Sequence, residues 1–221
     1  MRRDGAGVVW TVVVPLKSLA RAKSRLSGAA GTRGEGLRPA LALAFALDTV
    51  AAALAARPVA GVVVVTDDPL AAPRLAALGA RIVPEPPGGG LNAALAHGAD
   101  AIRTRSPESG VVTLNADLPA LRPEELTRVL DAAAAFPRAF LADAAGIGTT
   151  LLSAAPGVML SPAFEGLSRA RHRASGASEI LLDGVDSVRQ DVDTPQDLRA
   201  ALALGVGART TEAAAGLLIA D

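Results

Sequence analysis

Two runs of this chain, VVWTVVV (residues 8–14) and the VAGVVVV that heads VAGVVVVTDDP (59–69), are apolar almost throughout and mostly β-branched. A strand with one face in water alternates apolar and polar side chains. These runs do not alternate, so they read as strands buried on both faces. Two-sided cover comes from helices. Between the runs, Leu37, Leu41 and Phe45 recur at helical spacing, as do Leu43, Leu47, Val50 and Leu54. That pattern predicts a helix over about 37–56 with a wide apolar face, preceded by a long loop over 15–36.

The alternation continues. PLAAPRLAALG reads as a helix closed by Gly79, ARIVPE as a short third strand, and the turn PEPPGGG leads into a helix over about 91–104. GVVTLNADLPAL (110–121) is a strand followed by a polar turn, and RPEELTRVLDAAAAF a helix with Glu124 and Glu125 in its first turn. AFLAD and GTTLLSA predict two more strands, SPAFEGLSRARHRASGA a short basic helix, and the stretch near VRQDVDTP a last short strand. Thr194 is placed as an N-cap, with Pro195 at the first helical position and Gly205 as the stop. The expectation is one α/β domain over 1–221: a core of about 8–205 around a mainly parallel sheet with helices on both faces, and a packed helical tail over 206–221.

Composition narrows the function. Basic and acidic residues number 22 each in 221, so a general nucleic-acid or membrane-surface binder is disfavoured and any polyanion site must be local. There is no cysteine, which excludes disulfides and thiolate chemistry, and His97 and His172 lie far apart. The N-terminus lacks a signal-peptide pattern. PALALAFALDTVAAALAA (39–56) is short for a membrane span and carries Asp48, so a buried helix is expected, with Asp48 as hydrogen-bonded structure. The expected location is cytoplasmic, and the oligomeric state is open.

A local anion site is written into the loop after the first strand. Lys17, Arg21, Lys23 and Arg25 fall within nine residues, with no acid between Asp4 and Glu35. Ligands of open parallel sheets bind beyond the carboxyl ends of the strands. That edge would also receive Asp67 and Asp68, Asn115 and Asp117, and Asp191 and Asp193. The last two are two apart and would share a side of an extended segment. Cations beside hard carboxylates suit two phosphate compounds brought together with Mg²⁺, the three candidate ligands being Asp117, Asp191 and Asp193. Plainer roles stand beside these. The basic run fits a solvated loop, Asp117 an Asx-turn, Asp193 the residue before a helix cap, and Arg169 and Arg173 an exposed basic face. His172 fits either a ligand contact or the surface. There is no P-loop, no GxGxxG after the first strand and no GxSxG elbow.

Together VVPLKSLARAKSRLS, NADLPAL, GTTLL, SRARHRASGA and DVDTPQDL resemble the 2-phospho-L-lactate or phosphoenolpyruvate guanylyltransferases of coenzyme F-420 biosynthesis, from about Val8 to Gly205. The resemblance implies a Rossmann-like fold of the nucleotide-diphospho-sugar transferase type. It implies guanylylation of a small phosphorylated three-carbon acid by GTP, with pyrophosphate released and Mg²⁺ held by Asp117, Asp191 and Asp193. Lys17, Lys23 and Arg25 would meet the triphosphate, and Thr149, Glu165 and Ser168 the acceptor. The family carries Gly where this chain has Glu165. Either Gly166 takes over, or Glu165 contributes only its backbone, with its side chain turned to solvent or paired with Arg169. Asn92 is the candidate ribose or base contact, its plainer reading being a helix N-cap. Alternatives are a cytidylyl- or molybdopterin-guanylyltransferase of the same fold, and a non-catalytic nucleotide-binding module.

Overall fold

The structure, a computed structural model, describes residues 7–21 and 31–218. The two valine runs form β1 (Trp10–Pro15) and β2 (Val59–Val65). With β3 (Arg81–Val83), β4 (Gly110–Leu114), β5 (Arg138–Ala142), β6 (Thr149–Ala154) and β7 (Ser178–Glu179), they build a seven-stranded sheet ordered β3-β2-β1-β4-β6-β5-β7. Every pairing is parallel except those of β6, which runs antiparallel to both β4 and β5.

Burial on both faces holds over residues 12–14 and 62–65, whereas Val9 ahead of β1 and Ala60 early in β2 are exposed. Val12, Val14, Val62, Val64, Val112 and Leu114 face one core cluster, which includes residues of α1 (Gly31–Ala55), α2 (Ala71–Ala77) and α4 (Pro123–Ala133). Val13, Val63, Val65 and Val111 face the other, where Ala94, Leu95, Ala99 and Ile102 of α3 (Leu91–Arg105) pack. Each such side chain removed from water contributes about 1.5–3 kcal/mol, so these strands occupy the centre of the sheet. Helix α3 comes very close at Gly98, where a Cβ would stand 2.6 Å from Val13 Cγ1 and 2.8 Å from Val65 Cγ2. The remaining helices are α5 (Ser168–Ala174), α6 (Asp186–Arg189), α7 (Pro195–Leu204) and α8 (Ala208–Leu218).

Two expectations need correction. Residues 15–36 are not one loop: Leu19–Arg21 form a 3-10 turn, and α1 begins at Gly31, with Pro39 inside it. The segment near VRQDVDTP is not a strand. Residues 186–189 are helical, and Asp191 and Asp193 follow in irregular backbone, so shared sidedness on an extended segment does not apply. The cap of α7 is as expected: Thr194 and Asp197 form a reciprocal capping box, Pro195 opens the helix and Gly205 closes it.

Within α1, Arg38–Ala55 is long and apolar enough for a membrane span by length and composition, but most of it is buried inside the protein. Asp48 on this helix is also buried. Its carboxylate accepts from Thr210 N at 2.8 Å, from Arg209 N at 3.4 Å and from Arg209 Nη1 at 3.3 Å, pinning α8 across α1. Asp48→Ala should leave those N–H donors unsatisfied and cost about 1–3 kcal/mol. Urea denaturation would check this, and a change below 0.5 kcal/mol, roughly the size of an ordinary surface substitution, would deny Asp48 its pinning role.

Candidate active site

A cavity of about 450 Å³ opens at the carboxyl edge of the parallel strands. Pro15, Leu16 and Lys17 reach it from β1, Asn115 and Asp117 from the turn after β4, and Asp191 and Asp193 from the α6–α7 connection. Because β6 is reversed, its first residue lies at this same edge, so Thr149 lines the cavity together with Ser168, Glu165 and Gly166. Lys17, Asp117, Thr149, Glu165, Ser168, Asp191 and Asp193 are thus brought together. Lys23 and Arg25 lie outside the described residues.

The loops carrying these groups are tied to one another. Thr49 of α1 accepts from Leu118 N at 3.1 Å and donates to Ala116 O at 3.3 Å, clamping the turn that holds Asp117. Val192 N donates to Asp117 O at 3.1 Å, joining the two acidic loops. Asn115 Nδ2 donates to Asp191 Oδ2 at 3.4 Å. Asp193 N donates to the α7 capping carboxylate of Asp197 at 3.1 Å, while the Asp193 residue lines the cavity, so the capping role and the cavity position coexist.

Asp67 and Asp68 prove structural. Asp68 accepts from Leu19 N at 2.8 Å and from Leu70 N and Ala71 N at 3.0 Å, which ties the basic loop to the end of β2. Burial pushes this carboxyl up, but the three backbone N–H bonds outweigh it and leave the pKa below the usual value. Asp67 accepts from Glu85 N at 3.1 Å.

The N-cap reading of Asn92 is corrected by the structure. Asn92 neither caps α3, whose N-cap is Gly90, nor lines the cavity. Its Oδ1 accepts from Phe164 N at 2.7 Å and its Nδ2 donates to Phe164 O at 3.3 Å, so both ends of the amide grip the backbone beside Glu165. The Glu165 side chain is largely exposed, the first of its two expected dispositions. It pairs with Lys17 at 3.9 Å rather than with Arg169, whose Nε instead donates to Glu179 at 2.9 Å. Both members of the Lys17–Glu165 pair are about 60% exposed, so the pair contributes little. Arg173 also binds Glu179, so the Arg169–Arg173 face is paired rather than merely solvated. Burial would raise the Glu179 carboxyl, but hydrogen bonds from Arg173 and Arg169, with their charges, leave it lowered.

Asp143 was not anticipated, although an acid closing the strand AFLAD was a usable signal. It lines the cavity, and its carboxylate accepts from Ile147 N at 2.9 Å and Gly148 N at 2.8 Å, shaping the β5–β6 turn. A Cβ on Gly148 would stand 2.4 Å from Asp143 Oδ2. His172 is not on the surface. It is fully buried, stacked edge-on against Phe164 at 4.9 Å, with Nδ1 3.0 Å from Thr149 Oγ1 and Nε2 accepting from Ala163 N at 3.0 Å.

For metal binding, no group of three or more His, Asp or Glu among the described residues forms a closed ligand set, so the three-carboxylate clamp is not preassembled. Carboxylates of Asp117, Asp191 and Asp193 around one cavity are still hard oxygen donors. They fit a cation that takes one or two carboxylates and completes its shell with phosphate oxygens and water.

Two outcomes follow from these local conformations. Glu165 has φ +77°, the left-handed region that favours glycine. Glu165→Gly should therefore stabilise the protein by about 1 kcal/mol, a rise of about 2–4 °C in Tm; calorimetry showing a lower Tm would refute the strain. Burial, and secondarily Arg138, push His172 down to about 4 from 6.5. Between those values the unfolded chain binds the proton more readily, so stability is full above pH 6.5 and is lost as pH falls toward 4. The drop in Tm from pH 7 to 4.5 should be smaller in His172→Phe than in the wild type, and an equal drop would contradict the assignment.

Comparison with known proteins places this arrangement. The MobA-like NTP transferase domain matches residues 26–181. A phosphoenolpyruvate guanylyltransferase of Streptomyces avermitilis is 71% identical over 210 residues, covering 95% of this chain and 96% of that protein. Among solved structures, a protein of Desulfovibrio desulfuricans assigned as a nucleotide-diphospho-sugar transferase shares the fold. Its TM-score is 0.66 at 16% identity, over 86% of this chain and 85% of that one. A Mycobacterium tuberculosis protein in complex with manganese matches with a TM-score of 0.52 at 20% identity, over 90% and 99%.

Proposed function

The chain belongs to the phosphoenolpyruvate guanylyltransferase family and carries the MobA-like NTP transferase domain, and from that premise we propose that it joins GTP to a small phosphorylated three-carbon acid with release of pyrophosphate. Phosphoenolpyruvate is the foremost acceptor, 2-phospho-L-lactate the next, and the product would feed coenzyme F-420 assembly. The observation that carries the reading is the convergence of Lys17, Asp117, Asp191 and Asp193 and two hydroxyl side chains from separate segments on one cavity. Membership of an enzyme family sets aside the non-catalytic alternative.

The chemistry needs no general base. The acceptor phosphate is already ionised at neutral pH. One of its oxygens attacks the α-phosphorus of GTP, and the bond from that phosphorus to the oxygen bridging to the β-phosphate breaks. Lys17, with Lys23 and Arg25, is assigned to the triphosphate and the leaving pyrophosphate, offsetting the repulsion between two anions. Asp117, Asp191 and Asp193 are assigned to a divalent cation, Mg²⁺ by the hardness of the donors; when bound, it supplies stabilisation of charge on the phosphate oxygens. Thr149, Ser168 and backbone N–H groups near Glu165 and Gly166 are assigned to the acceptor carboxylate. The Glu165 side chain contributes no contact to that carboxylate, since like charges repel.

Pyrophosphate release should be measured with four nucleoside triphosphates against phosphoenolpyruvate, 2-phospholactate and 3-phosphoglycerate. GTP with phosphoenolpyruvate is expected to lead. A preference for CTP would move the chain to a cytidylyl transfer and overturn the reading. Asp117→Asn and Asp191→Asn should each lower turnover on the order of a hundredfold while remaining folded. Near wild-type turnover in either would remove that residue from the cation site.

A further inference from the structure

His172 touches the cavity only through Thr149, yet its geometry decides what Thr149 can do. A backbone N–H can only donate, so Ala163 N, 3.0 Å from Nε2, requires a lone pair on that nitrogen. A neutral imidazole with its lone pair on Nε2 carries its proton on Nδ1. That Nδ1–H then donates to Thr149 Oγ1 at 3.0 Å. The opposite tautomer would make Thr149 spend its own proton on the ring and turn oxygen lone pairs toward the cavity, where they would repel an anion. The tautomer imposed by Ala163 instead leaves the Thr149 hydroxyl proton available to a ligand.

The same ring also anchors the loop that carries Glu165 and Gly166. That loop is held from several directions: Arg138 Nε donates to Leu160 O at 3.0 Å, Arg138 Nη2 to Ser161 O at 3.1 Å, and Asn92 brackets Phe164. Among these ties, His172 is the one that joins the loop to Thr149 at the start of β6.

We propose that His172 is a positioning residue that commits the Thr149 hydroxyl to donating a hydrogen bond to the acceptor's carboxylate while fixing the acceptor loop through Ala163. This rests on the reading of Thr149 as an acceptor contact. The ring never meets substrate and transfers no proton. Its effect belongs to acceptor binding, not to the nucleotide.

The test combines kinetics and spectroscopy. His172→Phe keeps the ring volume beside Phe140 and Phe164 and removes both polar contacts. It should raise the KM for phosphoenolpyruvate about tenfold, the scale of a lost hydrogen bond to a charged group, and leave the KM for GTP within about twofold. In a Thr149→Val background the same change should add less than about twofold, because its route is already gone. His172→Asn, which can place an amide N–H near the Nδ1 position, should recover most of the loss. Additive effects in the double variant, or equal rises in both KM values, would overturn the proposal. The wild-type protein supplies a measurement that does not depend on a variant folding. Imidazole ¹⁵N shifts, assigned against His97→Gln, should show His172 at pH 7 as one neutral tautomer with the proton on Nδ1. A proton on Nε2, or a charged ring, would overturn it. Wild-type protein that transfers guanylyl to none of the three phosphoacids would sink the functional reading and this inference with it. Intact transfer with an unchanged acceptor KM in Thr149→Val would sink this inference alone.

Discussion

Burial of the central strands on both faces is the constraint on which the rest depends. Val12, Val13 and Val14 are fully buried, alternating between two separate core clusters, and Val62 to Val65 do the same beside them. No charged side chain can be placed along such strands without a large desolvation cost, and a polar one only where it is hydrogen-bonded, as Thr113 is to Leu152 O. Charge is therefore confined to the ends, and the carboxyl ends of β1 and β4 open on the same cavity. The clustering of Lys17 and Asp117 is a consequence of that confinement.

Confinement alone would leave a site of loose loops. What shapes it is a set of side chains that bind backbone rather than ligand. Asp68 ties the basic loop, Thr49 the Asp117 turn, Asp143 the turn before Thr149, and Asn92 and His172 the loop before Ser168. Each satisfies N–H groups that the loop could not pair within itself. Several of these residues resemble catalytic groups by type and by position near strand ends.

Much of the architecture was legible because it rests on local chemistry. The valine runs, the Leu/Phe spacing of α1, and Thr194, Pro195 and Gly205 around α7 act within a few residues of themselves. The candidate residues picked out by their motifs, Lys17, Asp117, Thr149, Ser168, Asp191 and Asp193, all line one cavity. The grip of Asn92 on the loop was not legible, because its partner, Phe164, is 72 positions away. The irregular backbone at 190–194 was read as a strand because two acids at alternate positions look the same in either state.

The sequence by itself determined a two-sided sheet, a neutral chain with one basic loop, the ends of its capped helix, and the family to which its motifs belong. These follow from burial, charge and backbone chemistry that each segment carries alone. Only the tertiary structure decided that β6 inserts in reverse and delivers Thr149 from the start of a strand, and that His172 is buried behind it. It alone put Glu165 beside Lys17 in a left-handed conformation. Each of these depends on which distant backbone groups remain to be satisfied once the sheet has assembled, and no local pattern carries that information.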